Sequence, residues 1–181
     1  MKMEGKEMIL VLVRLVVLAA CAGLVLGAVY IPTQAQLEKY KEEQRQLALE
    51  AVMPPGTDHF DPVKSGEETL YYRALDAGNN LVGYCFFHEQ SGSQDTITLA
   101  GGIGTDYTLT GIKIVAHKET PGLGSKIAEP DFTDQFKGVH MSELALSKKG
   151  GKIDAITGAS ISSQAVIDGL HAKMDEIKAM N

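Results

Sequence analysis

The sequence predicts an α+β protein with one N-terminal transmembrane helix, followed by an antiparallel sheet with helices packed against it. Three observations carry this reading. An apolar run near the N-terminus is long enough to cross a bilayer. Short segments rich in Tyr, Phe, Val, Ile and Thr follow, separated by turn residues. The C-terminal stretch repeats its apolar residues at helical spacing.

From Met8 to Ile31 the chain reads MILVLVRLVVLAACAGLVLGAVYI, with Arg14 as its only charge. A membrane-crossing helix needs ~20 mostly apolar residues, and Arg14 can reach the interface with its long stem. A cleaved signal peptide has a shorter apolar core of ~7–15 residues. The LAAC at Leu18 to Cys21 resembles a lipobox, but the sequence after Cys21 stays apolar, so Cys21 reads as a buried, unreactive thiol. Lys2, Lys6 and Arg14 stand against Lys39, Lys41 and Arg45 across the span, a near tie that leans toward a cytoplasmic N-terminus.

Pro32 ends the span, and TQAQLEKYKEEQRQLALEAVM then reads as a polar helical stalk. PPGTDH breaks it. The organisation is therefore 1–31 for the N-terminal segment and span, 32–53 for the stalk, and 54–181 for the folded domain.

Within that domain TLYYRAL, LVGYCFFHEQ, DTITLAGGIG and LTGIKIVAHKE read as strands of a meander. DAGNN suits a hairpin turn, because Gly and Asn tolerate positive φ. GTDYT separates the last two strands, and EPDFTDQFKG is a short helical or loop connection. The last helix runs from about Ile161 to Met180, with Val166, Leu170, Met174 and Ile177 on one face and Asp168, Lys173, Asp175 and Lys178 off it.

Composition excludes several kinds of chemistry. A net charge of -6 argues against nucleic acid. Cys21 and Cys85 are too few for an iron–sulfur cluster or a four-cysteine zinc site. There is no CxxC, and His59, His88, His117, His140 and His171 form no metal-ligand pair. GGIGTD fails the dinucleotide fingerprint, since the third glycine falls at Tyr107 and no helix follows; a glycine-rich turn or bulge between strands is the better reading. No catalytic or metal-binding residue is assigned.

Two glycine loops remain. In HKETPGLGSKI, Thr120-Pro121-Gly122 suits a type II turn, and Gly124 lets the backbone bend again. Such a loop permits close approach of the main chain to a flat ligand. In DAITGAS, Gly158 lets the chain turn just before a helix whose first N–H groups form an anion site. Ser162 or Thr157 suffices as a cap, which leaves Ser160 as a spare hydroxyl able to bind a phosphate or be esterified by one.

DAITGAS resembles the D-x-x-[S/T]-G-A-[T/S] flavinylation motif of covalent FMN-binding domains. KETPGLG resembles the loop found with it in the G subunit of the Rnf electron-transport complex, and the C subunit of the sodium-pumping NADH:quinone reductase is similar. The resemblance extends to the layout of span, stalk, domain, FTDQFKG and final helix.

It implies FMN joined through its phosphate to Ser160, where the family usually has Thr. A flavin transferase makes the bond, taking FMN from FAD. Asp154, Thr157, Gly158 and Ala159 would form the recognition sequence, and Glu119, Thr120, Pro121, Gly122, Leu123 and Gly124 would line the isoalloxazine. The resemblance further implies a single-pass protein of the cell (inner) membrane, with its FMN domain on the extracytoplasmic side. It would carry electrons in a complex that oxidises reduced ferredoxin, reduces NAD and moves ions; no substrate-turnover site is expected in this chain alone. The competing readings are a C-type component of the quinone reductase, a membrane-anchored binding or assembly module without cofactor, and a stand-alone flavoprotein.

Overall fold

The computed structural model describes residues 5–66 and 68–180. Lys2, counted in the charge comparison across the span, lies outside them. The chain divides into two compact units, one ending at Glu43 and the other beginning at Gln44.

Helix α1 (Gly5–Val52) supplies the described part of the first unit and the opening of the second. Its Ile9–Ala28 stretch is long and apolar enough to cross a membrane. The helix does not end at Pro32 but runs through that position to Val52. A proline removes one hydrogen bond, and strong helix formers after it let the helix continue. The adjacent Pro54 and Pro55, two residues past the last helical position, mark where it stops.

The second unit is built on a five-stranded antiparallel meander: β1 (His59–Ser65), β2 (Glu68–Leu75), β3 (Leu81–Ser91), β4 (Thr96–Gly104) and β5 (Leu109–Ala116), in that spatial order. Sequence patterning misses β1, because HFDPVKS carries Pro62 and lacks clean alternation. The strand is possible because it lies at the sheet edge, where a missing N–H costs little, with a register shift between Val63 and Lys64. Its Asp61 pairs across the ladder with Arg73 of β2 and forms an ion pair with it. The DAGNN turn forms as expected: Asn79 takes φ 61°, and Asp76 Oδ1 accepts the N–H groups of Gly78 and Asn80, each at 2.8 Å.

Alternation along the strands divides the sheet into two faces. Tyr84 and Phe86 of β3, Ile97, Leu99 and Ile103 of β4, and Ile112 and Ile114 of β5 pack with the stripe of α3 (Ser160–Met180). Val166, Leu170, Met174 and Ile177 of that stripe are all fully buried. On the other face Cys85 and Ala100 meet Ala48, Leu49 and Val52 at the end of α1. The FTDQF segment forms α2 (Pro130–Thr133) and a 3-10 turn, and plugs the core with Phe132 and Phe136, whose rings meet edge to face at 5.2 Å.

Of the turn or bulge read for GGIGTD, the structure takes the bulge: Gly101 and Gly102 sit inside β4, with a register shift between Gly102 and Ile103. A Cβ on Gly101 would lie 2.6 Å from the Phe86 ring, and one on Gly102 only 1.7 Å from the Val52 carbonyl oxygen. That same carbonyl accepts the Thr110 hydroxyl at 2.7 Å, so the glycine is where helix α1 comes down on the sheet. Lys173, which lies off the apolar stripe of α3, is nonetheless buried, and its ammonium donates to Glu176 at 2.7 Å.

Replacing Gly102 by Ala should therefore lower the unfolding free energy by about 1–3 kcal/mol through overpacking, read by denaturant titration of the full chain. Burial pushes the Cys85 thiol up to about 12. In a Cys21→Ser background a maleimide should leave Cys85 unmodified in the folded protein and label it on unfolding.

Candidate functional site

The two glycine loops of the sequence meet in space. After β5 the chain enters Thr120 to Leu123 as a tight turn, with the Leu123 N–H on the Thr120 carbonyl at 3.2 Å and Gly122 at φ 77°, the type II geometry. Ser125 closes the loop by accepting the Gly122 N–H on its hydroxyl at 2.9 Å. Leu123 stays exposed at the tip, with its Cδ2 3.1 Å from where a Cβ on Gly158 would sit.

Glu119 points the other way and is 5% exposed. Its Oε2 accepts the hydroxyl of Ser162 at 2.6 Å, and its Oε1 accepts the backbone N–H groups of Ser93 and Gln94 at 2.8 and 3.2 Å. Three donors from two other segments satisfy this buried carboxylate, as an acceptor-only group requires. Next to it, Lys118 donates to Asp95 at 2.7 Å and holds that carboxyl below its ordinary range, with help from the Thr96 N–H.

In DAITGAS the Ala159 N–H returns to the Ile156 carbonyl at 2.9 Å, a turn made possible by Gly158 at φ 82°. The Ser163 hydroxyl accepts the Ile156 N–H at 3.1 Å and donates to the Ala159 carbonyl at 3.0 Å. The first intrahelical bond of α3 is Ser163 N–H to Ala159, so the N–H groups of Ser160, Ile161 and Ser162 are the open donors of the helix start. Neither Ser162 nor Thr157 acts as the cap. Ser162 lies inside the helix and gives its proton to Glu119, and Thr157 is exposed. Sequence reasoning had no means to divide these serines, since the division depends on Glu119, 43 residues from Ser162.

Ser160 is exposed, and no hydrogen bond among the described residues engages its hydroxyl. It lies on the rim of two hollows. One, of about 310 Å³, is lined by Ser93, Glu119, Thr120, Leu123, Gly124 and the run 158–162. The other, of about 370 Å³, is shared with Lys149, Gln164 and Asp168, where the Lys149 ammonium donates to Gln164 Oε1 at 2.9 Å. A larger hollow of about 550 Å³, between Arg45, Tyr72, Phe87 and Lys173, holds no residue of either motif.

Of the residues expected at a cofactor, the structure gathers Glu119, Thr120, Leu123, Gly124, Gly158, Ala159 and Ser160 around the first hollow. Pro121 and Gly122 are exposed at the turn and do not line it, and neither do Asp154 and Thr157, both exposed. The backbone of Asp154 is fixed through its N–H to Gln135 Oε1 at 2.7 Å. Ser93 and Ile161 line the hollow without having been anticipated; Ser93 comes from the β3–β4 turn, which carries no recognisable motif.

This arrangement fits a flavin phosphoester. The helix start and Lys149 favour an anion at Ser160. Leu123 and Ile161, two exposed apolar side chains beside the acceptor, offer contact to a flat ring. Among the described residues no group of three or more His, Cys, Asp or Glu could hold a metal.

Ser163→Ala should cost about 1–3 kcal/mol by leaving the Ile156 N–H unsatisfied, whereas Ser160→Ala at an exposed position should stay within about 0.5 kcal/mol. Thermal denaturation of the two variants checks the contrast.

Residues 92–175 match the family described as the FMN-binding domain. The G subunit of the ion-translocating oxidoreductase complex of Methanosarcina acetivorans is 41% identical, with 97% of each chain covered. The G subunit of the proton-translocating ferredoxin:NAD(+) oxidoreductase complex of Clostridium ljungdahlii is 30% identical over 86% of this chain and 84% of its own. In fold, the chain resembles the solved C subunit of the Na(+)-translocating NADH-quinone reductase of Parabacteroides distasonis, with a TM-score of 0.56 over 76% of this chain and 92% of that one, at 18% identity.

Proposed function

The chain belongs to the G-subunit family of ion-translocating oxidoreductase complexes, and from that premise we propose that it is a membrane-anchored electron carrier with FMN esterified to Ser160. Its work is within a ferredoxin:NAD oxidoreductase complex, as the name of its Clostridium relative supports. The likeness to the quinone reductase protein is one of fold alone.

The observation that carries the reading is the state of Ser160. Among the described residues it is the one serine of the cluster at the start of α3 whose hydroxyl makes no hydrogen bond, and it stands between two hollows at the helix start. Maturation by a flavin transferase would join the Ser160 oxygen to the FMN phosphate of FAD, with AMP as the leaving group and the hydroxyl proton passing to solvent.

Once attached, the group supplies reversible electron transfer, one electron at a time. The protein's part is to hold it. The N–H groups of Ser160, Ile161 and Ser162 and the Lys149 ammonium offset the phosphodiester charge. Leu123 and Ile161 cover ring surface from water. The covalent tether keeps the flavin at high local concentration even where affinity is weak. In this reading the N-terminus is cytoplasmic, helix α1 crosses the membrane through Ile9–Ala28, and the domain stands on the extracytoplasmic side.

Co-expression of the full chain with a flavin transferase should yield a band that fluoresces under ultraviolet light on a denaturing gel, and Ser160→Ala should abolish it. A fluorescent Ser160→Ala band would assign the acceptor elsewhere. A dark wild-type band would remove the flavin reading.

A further inference from the structure

We propose that Glu119 is a positioning residue for modification of Ser160, acting through Ser162; the inference rests on the flavin reading above. The carboxylate does not touch Ser160. It holds the helical turn that presents it. Ser162 is two residues beyond Ser160 in the first turn of α3, and its hydroxyl is bound to Glu119 Oε2 at 2.6 Å in a fully buried contact.

The other carboxylate oxygen is held by the N–H groups of Ser93 and Gln94. Glu119 thus ties three separate segments together: the β3–β4 turn, the ETPGLG loop and the start of α3. Two glycines make room for it. A Cβ on Gly92 would lie 2.2 Å from Oε1, and a Cβ on Gly124 would lie 2.8 Å from Oε2. This close fit on both sides leaves the carboxylate one position, and with it the Ser160 turn.

Glutamate has a further property that suits the role. It orients the helix start from the inside, by a side-chain bond, and so leaves the backbone N–H groups of that turn open for a phosphate. A conventional cap would occupy one of them. A purely structural Glu119 would contribute to folding and leave the reactivity of the folded protein unchanged. A positioning Glu119 alters how well the folded acceptor turns over, since small misplacements of a reacting group are costly in rate.

The test uses the full chain in detergent as the substrate of a flavin transferase with FAD, and reads the rate of adduct formation by intact mass. Thermal denaturation confirms that each variant is folded at the assay temperature. Glu119→Ala should lower the maximal rate about tenfold or more with a smaller change in KM. Glu119→Gln preserves the shape and can accept from Ser93 while donating to the Ser162 oxygen, and it should recover most of that rate. Ser162→Ala removes only one of the three bonds and should lower the maximal rate by a smaller factor; it decides the matter if Glu119→Ala does not fold. Folded Glu119→Ala or Ser162→Ala chains modified at the wild-type rate would overturn the inference and leave the flavin reading standing. A wild-type chain that takes no adduct would overturn both.

Discussion

Glu119 places a carboxylate where a sheet turn, a glycine loop and a helix start converge, and the donors Ser162, Ser93 and Gln94 hold it there. A buried carboxylate without such partners would cost several kcal/mol, so the three segments are bound to one arrangement. Residues of all three segments line the hollow beside Ser160. With Gly92 and Gly124 packed directly against the carboxylate, the ETPGLG loop and the DAITGAS turn cannot separate without exposing unsatisfied donors.

The sheet makes this junction possible by fixing what lies on its two faces. The end of α1 covers one face through Val52, whose carbonyl sits over Gly102 and bonds Thr110. Helix α3 covers the other through its apolar stripe. Anchored by that stripe, α3 presents its N-terminus at the hollow as a rigid end, and the serines divide the work there. Ser163 seals the preceding turn, Ser162 answers Glu119, and Ser160 is left for chemistry.

The elements that depend on local pattern were readable from sequence. The apolar span, strands β2 to β5, the Asn79 hairpin and the Val166 to Ile177 stripe each follow from periodicity or turn chemistry. Strand β1 was not, because Pro62 disqualifies a strand everywhere except at an edge, and the edge is a property of the sheet. The burial of Lys173 was not readable either, because periodicity placed it off the stripe and holds no signal for where its apolar stem packs. Within the site both glycine loops were visible as motifs, and Ser160 stood out. The contribution of Ser93, the inward turn of Glu119 and the separate tasks of Ser162 and Ser163 are contacts between distant segments, for which the linear pattern holds no signal.

The account stands most directly on the chemical state of one hydroxyl. Intact mass of the protein purified from the membranes of its own host, followed by tryptic mapping, tests it. The account predicts an adduct of one FMN less water, located at Ser160 in the peptide spanning Ile153 to Lys173. Recovery of that peptide unmodified, from a preparation in which the chain is folded, would contradict it.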